Sequence, residues 1–246
     1  MAADWSVGER AGERRAAART AVVQDALEPL LARGDLAVVD IGGGTGGFAV
    51  RVAERGHRVT VVDPSPDALA SLDRRAREAG VAHLVTAQQG DVDDLATLVP
   101  PGSVDLVLCH GVLEVVGDPA DALEAIASSL RPGGHLSLLV AQRFAAVVAR
   151  AMAGHFGAAR ELLDSHAPQG RAGRRFTLAE VETALAGAGL HVETVQGVRV
   201  FADLVPGSLV DAEPGSAQAL VELERAVATR EELRPLATQL HLLARR

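Results

Sequence analysis

The sequence has no lysine, no asparagine and no tyrosine, and aromatic side chains make up only 2% of its 246 residues. All 24 basic residues are therefore arginine, a bias that fits GC-rich coding rather than any one site. With so few aromatics, Val, Leu and Ala must fill the core, and a hydrophobic content of 48% suffices for a sizeable one. The single cysteine, Cys109, excludes an internal disulfide and accords with an intracellular protein. Apolar runs such as "LSLLVA" are too short to cross a bilayer. The charged, Ala-rich N-terminus lacks the apolar stretch of a secretory signal. A cytoplasmic protein with no membrane partner is expected. The net charge of -8 disfavours a broad nucleic-acid surface, since phosphate contact wants basic groups.

What is present is a regular alternation of apolar β-branched runs with helical patterns. "LAVVDI" (36–41), "RVTVVD" (58–63), "HLVTAQQ" (83–89), "SVDLVLCH" (103–110) and "HLSLLVA" (135–141) read as five strands. The intervening stretches read as helices, with Gly56 and Gly80 as stops and Ser65–Pro66 as an N-cap and first helical residue. "RPGG" reads as a turn before the fifth strand. Later come a helix over 177–189 capped by Thr177, a strand in "LHVETVQGVRVF", a helix from Gly215 and a last strand in "LATQLHLLARR". Continuous apolar strands alternating with helices predict an α/β fold, a doubly wound sheet covered on both faces. One domain over 1–246 is expected, with a helical N-terminal extension (1–35) and a lid-like insertion (142–176) that breaks the rhythm.

"VVDIGGGTGGFAV" after the first strand fits two cofactor templates. Gly42, Gly44 and Gly47 match a dinucleotide fingerprint; Gly42, Gly44 and Gly46 match the G-x-G-x-G usual for S-adenosylmethionine. Asp40 stands two residues before Gly42, so its carboxylate lies beside whatever the loop accepts. A pyrophosphate on the helix N-terminus would be repelled by it, whereas the ammonium and sulfonium of S-adenosylmethionine suit it. Asp63 ends the second strand, where a carboxylate can take both ribose hydroxyls in either ligand. Asp91, in "QQGDVDD", can accept from an adenine amino group while the Val92 backbone meets a ring nitrogen; it can equally cap a helix. An NAD-dependent oxidoreductase is the weaker reading, because Asp40 and Asp91 suit it poorly and no hydride-transfer set is recognisable. A catalytically inactive cofactor-binding module is a third.

In combination these features resemble the class I S-adenosylmethionine-dependent methyltransferases. That resemblance implies a Rossmann-like seven-stranded sheet whose last strand is antiparallel, in keeping with the five strands plus two counted above. Within the class, "AERGHRVTVVDPS", "DLVLCHGVLEVVGDP", "LRPGGHLSLL", "AMAGHF", "GVRVF" and "LVELE" are similar to the tRNA 5-carboxymethoxyuridine methyltransferases, which esterify a modified wobble uridine. "GVRVF" and "AMAGHF" are the most telling, since they lie outside the shared cofactor core. A G-x-x-R at Gly12–Arg15 suggests Arg15 as partner of the methionine carboxylate, or else a solvated helix residue. Val115 departs from the family's aromatic after "VLE".

Two residues are candidates on the acceptor side. His110 follows the fourth strand, where ligands bind in open α/β sheets, and its ordinary pKa suits a base; a structural histidine is the plainer reading. Arg199 of "GVRVF" can pair an acceptor carboxylate bidentately, or form a surface ion pair. His110 and Glu114 lack a third ligand, so no metal is expected. Residues 142–176 carry six arginines against Glu161 and Asp164, the one basic stretch of an acidic chain. The expected acceptor is a carboxylate on tRNA or on an acidic small molecule, with small-molecule O- or N-methylation as the alternative to tRNA modification.

Overall fold

The strands of the sheet are short runs of Val, Leu and Ile with side chains buried on both faces, the pattern of a parallel sheet sandwiched by helices. The computed structural model describes residues 4–165, 167, 168, 170, 173–210 and 214–246, and for residues 4–15 the backbone alone. The order is α1 (Asp4–Leu31), β1 (Ala37–Ile41), α2 (Ala49–Ala53), β2 (Arg58–Asp63), α3 (Pro66–Glu78), β3 (Val85–Gln89), α4 (Leu95–Leu98), β4 (Val104–His110), α5 (Pro119–Ser129) and β5 (Leu130–Ala141). There follow α6 (Arg143–Met152), α7 (Phe156–Leu163), α8 (Leu178–Gly187), β6 (His191–Val198), α9 (Gly207–Val210), α10 (Ser216–Val227) and β7 (Gln239–Arg245).

The seven strands lie in the order β3-β2-β1-β4-β5-β7-β6. The first five are parallel to one another, and β7 runs antiparallel between β5 and β6. This is the doubly wound seven-stranded methyltransferase sheet with an antiparallel last strand. Strand periodicity splits the core in two. Val39, Ile41, Val107, Cys109, Leu136, Leu138, Leu240 and Leu242 face α5 and α8. Val38, Val59, Val61, Leu106, Leu108 and Leu139 face α1, α2 and α3. Asp40, His110, Ser137 and His241 fall on the α1 side by the same alternation.

Local signals placed the helix starts. Ser65 Oγ accepts from Ala68 N, with Pro66 in the first turn. Thr177 and Glu180 form a reciprocal capping box at α8. Two stretches differ from expectation. "RPGG" is not a turn ahead of β5: Leu130 already pairs with Val104, and the register then jumps to His135 opposite Leu106, so the four residues bulge out of a continuous strand. Residues 142–176 are not irregular throughout: α6 and α7 pack on one another, and Gln142 caps α6 by accepting from Ala145 N. Scattered Arg, His and Gly hid that pattern.

The turn from β1 to α2 is fixed by packing as well as by conformation. Gly46 has φ +74°, and a Cβ there would overlap Leu72 Cδ1, a fully buried side chain of α3. Left-handed strain and overpacking each cost about 1–3 kcal/mol. Gly46→Ala is expected to destabilise the protein by at least about 2 kcal/mol, read as a lowered urea midpoint. A wild-type midpoint would mean that Leu72 relaxes freely.

Candidate functional site

The carboxyl ends of β1, β2 and β4 converge where the chain order of the sheet reverses, and two cavities open there. One, of about 320 Å³, is lined by Arg19, Thr20, Asp40, Gly42, Phe48 and His110 among others. The second, of about 400 Å³, is lined by Asp63, Asp91, Val92, Val112, Gly42 and His110 among others. Gly42 and His110 border both cavities, so the pair forms one elongated cleft with His110 at its waist.

The floor is the glycine loop. Gly42, Gly44 and Gly46 all take positive φ. Gly44 N donates to Asp63 Oδ2 at 2.9 Å, and Ser65 N donates to Asp63 Oδ1 at 2.9 Å, which pins the carboxylate at the end of β2. Gly43 was not singled out from the sequence, yet a Cβ on it would stand 2.7 Å from Asp40 Oδ2 and 2.8 Å from Val61 Cγ1. The loop therefore closes directly over the Asp40 carboxyl. Burial pushes that carboxyl up to about 7; Arg19 opposes the shift and Asp63 adds to it. Asp91 is no helix cap. Its Oδ1 accepts from Asp93 N at 2.9 Å, while Asp94 stands at the N-cap of α4.

His110 is held by a row of side chains across the α1 face of the sheet. Its Nε2 lies 2.9 Å from Ser137 Oγ, which lies 2.8 Å from His241 Nε2, and His241 Nδ1 lies 3.0 Å from Gln196 Oε1. Phe48 meets the His110 ring edge-on, with centroids 5.4 Å apart. Burial, with His241 and Arg19 nearby, holds His110 well below the ordinary histidine range. Burial takes His241 to about 4. Both rings are neutral at pH 7, and Nδ1 is the nitrogen of His110 left for a ligand. Cys109, one residue earlier, faces the opposite core, and burial pushes its thiol up to about 12, so it is inert as a nucleophile.

The cationic candidates are rearranged. Arg15 lies on α1, but its side chain is outside the described residues. Arg19, one helical turn later, lines the first cavity and has no hydrogen-bond or ion-pair partner among the described residues. Burial lowers its pKa and so does Arg199, while Asp40 and Glu114 pull it up. The signal for Arg19 was the four-residue helical repeat from Arg15. Arg199 lines neither cavity. It sits just past β6 at φ +60°, with its guanidinium bound to both oxygens of Asp203 at 2.6–2.8 Å. Its bidentate capacity is thus used inside the protein. Glu224, fully buried in "LVELE", accepts from the N–H groups of Val200, Phe201 and Ala202 at 2.7–2.8 Å and clamps this turn.

Residues 39–138 match the family described as "Methyltransferase domain". The tRNA 5-carboxymethoxyuridine methyltransferase of Escherichia coli strain K12 is 31% identical, covering 96% of this chain and 90% of that protein. A ubiquinone biosynthesis O-methyltransferase of Xanthomonas axonopodis pv. citri is 35% identical, covering 73% and 71% of the two chains. A geranyl diphosphate methyltransferase solved with S-adenosylmethionine superposes with a TM-score of 0.59 at 21% identity, covering 91% and 85%. Among the described residues no helix is long and apolar enough to cross a membrane. The sheet order, the glycine cleft at its reversal point and the whole-chain likeness agree: this chain belongs to the class I S-adenosylmethionine-dependent methyltransferases, in the family that includes tRNA 5-carboxymethoxyuridine methyltransferase.

Proposed function

We propose that this methyltransferase esterifies a carboxylate, and that the carboxylate is that of 5-carboxymethoxyuridine in tRNA. The observation that carries the reading is the charge of the cleft: Arg19 lines its first cavity with no hydrogen-bond or ion-pair partner among the described residues, and the His110 imidazole at the waist is neutral and tied back. A carboxylate acceptor needs cations to leave water and needs no base. The 31% relative supplies the RNA context. Phe144 and Phe156 on α6 and α7 are exposed, offering apolar faces beside the basic segment.

The cleft fits S-adenosylmethionine. Asp63 and Asp91 suit the ribose and adenine, with Val92 beside the ring. Asp40 suits the ammonium, and Arg19 rather than Arg15 is the described cation at the carboxylate end. When bound, S-adenosylmethionine supplies an electrophilic methyl group: the acceptor oxygen forms the O–CH3 bond while the electron pair of the broken S–CH3 bond stays on sulfur. The protein aligns the two partners and excludes water. His110, neutral at the waist, adds no positive charge beside the sulfonium. A second reading, O-methylation of a small molecule, is favoured by the ubiquinone-pathway relative.

Asp63→Ala is expected to weaken S-adenosylmethionine binding by roughly 1.5–3 kcal/mol, the range for hydrogen bonds to charged groups. Calorimetry on the folded variant measures this, and an unchanged dissociation constant removes Asp63 from the site. Asp40 makes binding pH-dependent. Its carboxyl is protonated in the free enzyme below about 7 and must ionise to meet a cation, so affinity falls as pH drops through that value. Because the folded-state pKa is raised, the ionised form destabilises the free protein. Asp40→Asn is therefore expected to melt higher than wild type at pH 8, to bind the cofactor more weakly and to lose the pH dependence. A flat wild-type profile between pH 5 and 8 would exclude Asp40 as the cation partner.

Incubation of bulk tRNA and a metabolite extract with enzyme and methyl-labelled donor, followed by mass spectrometry, identifies the acceptor. Label in a carboxymethoxyuridine ester is expected, with His110→Ala retaining most of the turnover and acceptor affinity falling steeply with salt. Label in a small-molecule ether, with His110→Ala losing about 10²–10⁴-fold in rate, supports the second reading instead.

A further inference from the structure

The row of polar side chains that ends at His110 crosses four strands, and its hydrogen atoms run in one direction. Ser137 on β5 and His241 on β7 are both fully buried. Ser137 Oγ meets His110 Nε2 at 2.9 Å and His241 Nε2 at 2.8 Å, and His241 Nδ1 meets Gln196 Oε1 at 3.0 Å. The Ser137 hydroxyl and the His241 ring have no other hydrogen-bond partner among the described residues.

That arrangement fixes where each hydrogen sits. An amide oxygen only accepts, so His241 Nδ1 carries the hydrogen and donates to Gln196 Oε1. A neutral imidazole has one N–H, so His241 Nε2 is bare and accepts the Ser137 hydroxyl hydrogen. A hydroxyl has one hydrogen to give, so Ser137 Oγ in turn accepts from His110 Nε2. His110 is thereby held with its hydrogen on Nε2 and a bare lone pair on Nδ1. The chain of bonds needs both rings neutral, as burial keeps them at pH 7.

The bare nitrogen is left to the cleft. His110 borders both cavities, and its Nδ1 has no partner among the described residues. Phe48 packs edge-on against the ring, with centroids 5.4 Å apart, and so resists the half-turn that would exchange its two nitrogens. What stands opposite follows from covalent connectivity. The cofactor reading given above puts the amino-acid part of S-adenosylmethionine in the cavity of Asp40 and Arg19, and the adenosine in the cavity of Asp63 and Asp91. Sulfur is bonded to both parts, so it has to pass between the cavities, where His110 and Gly42 stand. The lone pair is the negative end of the imidazole dipole. In a cleft shielded from water it favours a sulfonium over a neutral thioether, and an N–H in its place would do the reverse.

We propose that Gln196, His241 and Ser137 are positioning residues that keep His110 as its Nε2–H tautomer, so that the site binds S-adenosylmethionine in preference to its product S-adenosylhomocysteine. The proposal rests on the cofactor placement given above. Methyl transfer turns the sulfonium into a thioether, and the lone pair loses its partner, which favours exchange of product for fresh donor. His110 acts here on binding. It takes up no proton, in keeping with a carboxylate acceptor that has none to give.

Nitrogen NMR of the ligand-free full chain at pH 7 reads the tautomer directly. With His110 assigned by its absence from His110→Ala, its Nε2 is expected to be protonated and its Nδ1 bare. A hydrogen on Nδ1 overturns the proposal; the Gln196 amide would then be turned over and the whole row reversed. Calorimetry with the two ligands reads the consequence. In His241→Phe the Ser137 hydroxyl keeps no acceptor except His110 Nε2, so the tautomer is expected to switch to Nδ1–H. The preference for S-adenosylmethionine is expected to fall roughly tenfold, about the size of one hydrogen bond, with S-adenosylhomocysteine affinity within about twofold of wild type. Ser137→Ala/His241→Phe also removes the hydroxyl that forces the switch. An unconstrained histidine favours Nε2–H, so the double variant is expected to regain much of the preference. A row that merely supports the fold predicts the opposite order, because the double variant loses more contacts. A switched tautomer with unchanged preference overturns the proposal, as does a further loss of preference in the double variant. If His241→Phe does not fold, Gln196→Met carries the test: with no acceptor at its Nδ1, His241 turns its hydrogen to Ser137 and reverses the row. A wild-type enzyme that binds no S-adenosylmethionine overturns the cofactor reading and this proposal together, whereas binding with Nδ1 protonated overturns this proposal alone.

Discussion

The buried carboxyl of Asp40 is the constraint around which the cleft is arranged. A carboxylate at the end of a central strand, covered by its own following loop, is costly to keep charged. The surroundings answer that cost in specific ways. Gly43 carries no side chain because the carboxyl occupies the space a Cβ would need. α1 lays Arg19 against the same cavity, a cation whose charge opposes the rise of the Asp40 pKa. The result is a carboxyl that is half-neutral near pH 7 and that a cationic ligand would charge fully. In the proposed site, stability of the free protein is traded for affinity at that point.

A second carboxylate organises the far edge of the sheet. Glu224 receives three successive backbone N–H groups and holds the turn in which Arg199 adopts a left-handed conformation rare outside glycine. Asp203 and Thr238 complete that turn: Thr238 Oγ1 donates to Asp203 at 2.8 Å. "GVRVF" and "LVELE", both similar to the tRNA-modifying family, are thus two halves of one clamp. Their shared presence has a structural reason that does not involve the acceptor. Arg199 still acts on the cleft through its field, since it lowers the pKa of Arg19.

The waist of the cleft combines a neutral polar row with a cation brought from outside the sheet. His110, Ser137, His241 and Gln196 come from four adjacent strands, β4, β5, β7 and β6, and satisfy one another inside the sheet face. The antiparallel β7 is what delivers His241 to this row. Gln196 gives the row no group that readily takes up a proton, so it orients His110 better than it would relay a proton from it. A cation arrives from outside the sheet: Arg19 of α1 lines the first cavity. Geometry at the waist is set by strands, whereas its cation is brought by a helix.

The sequence by itself determined the layers, the strand positions, the helix caps at Ser65 and Thr177 and the glycine loop with Asp40 and Asp63, because each follows from local periodicity or local conformational preference. It also carried the family likeness, through motifs spread along the chain. Tertiary structure alone decided which charged groups are free. The docking of α1 is what puts Arg19 in the cavity. Arg199 reads as an available cation until Asp203 is seen to hold it. Gly43 looks like one glycine among several until Asp40 is found beneath it. A side chain's charge is written in the sequence, but whether that charge is answered depends on groups brought from distant parts of the chain.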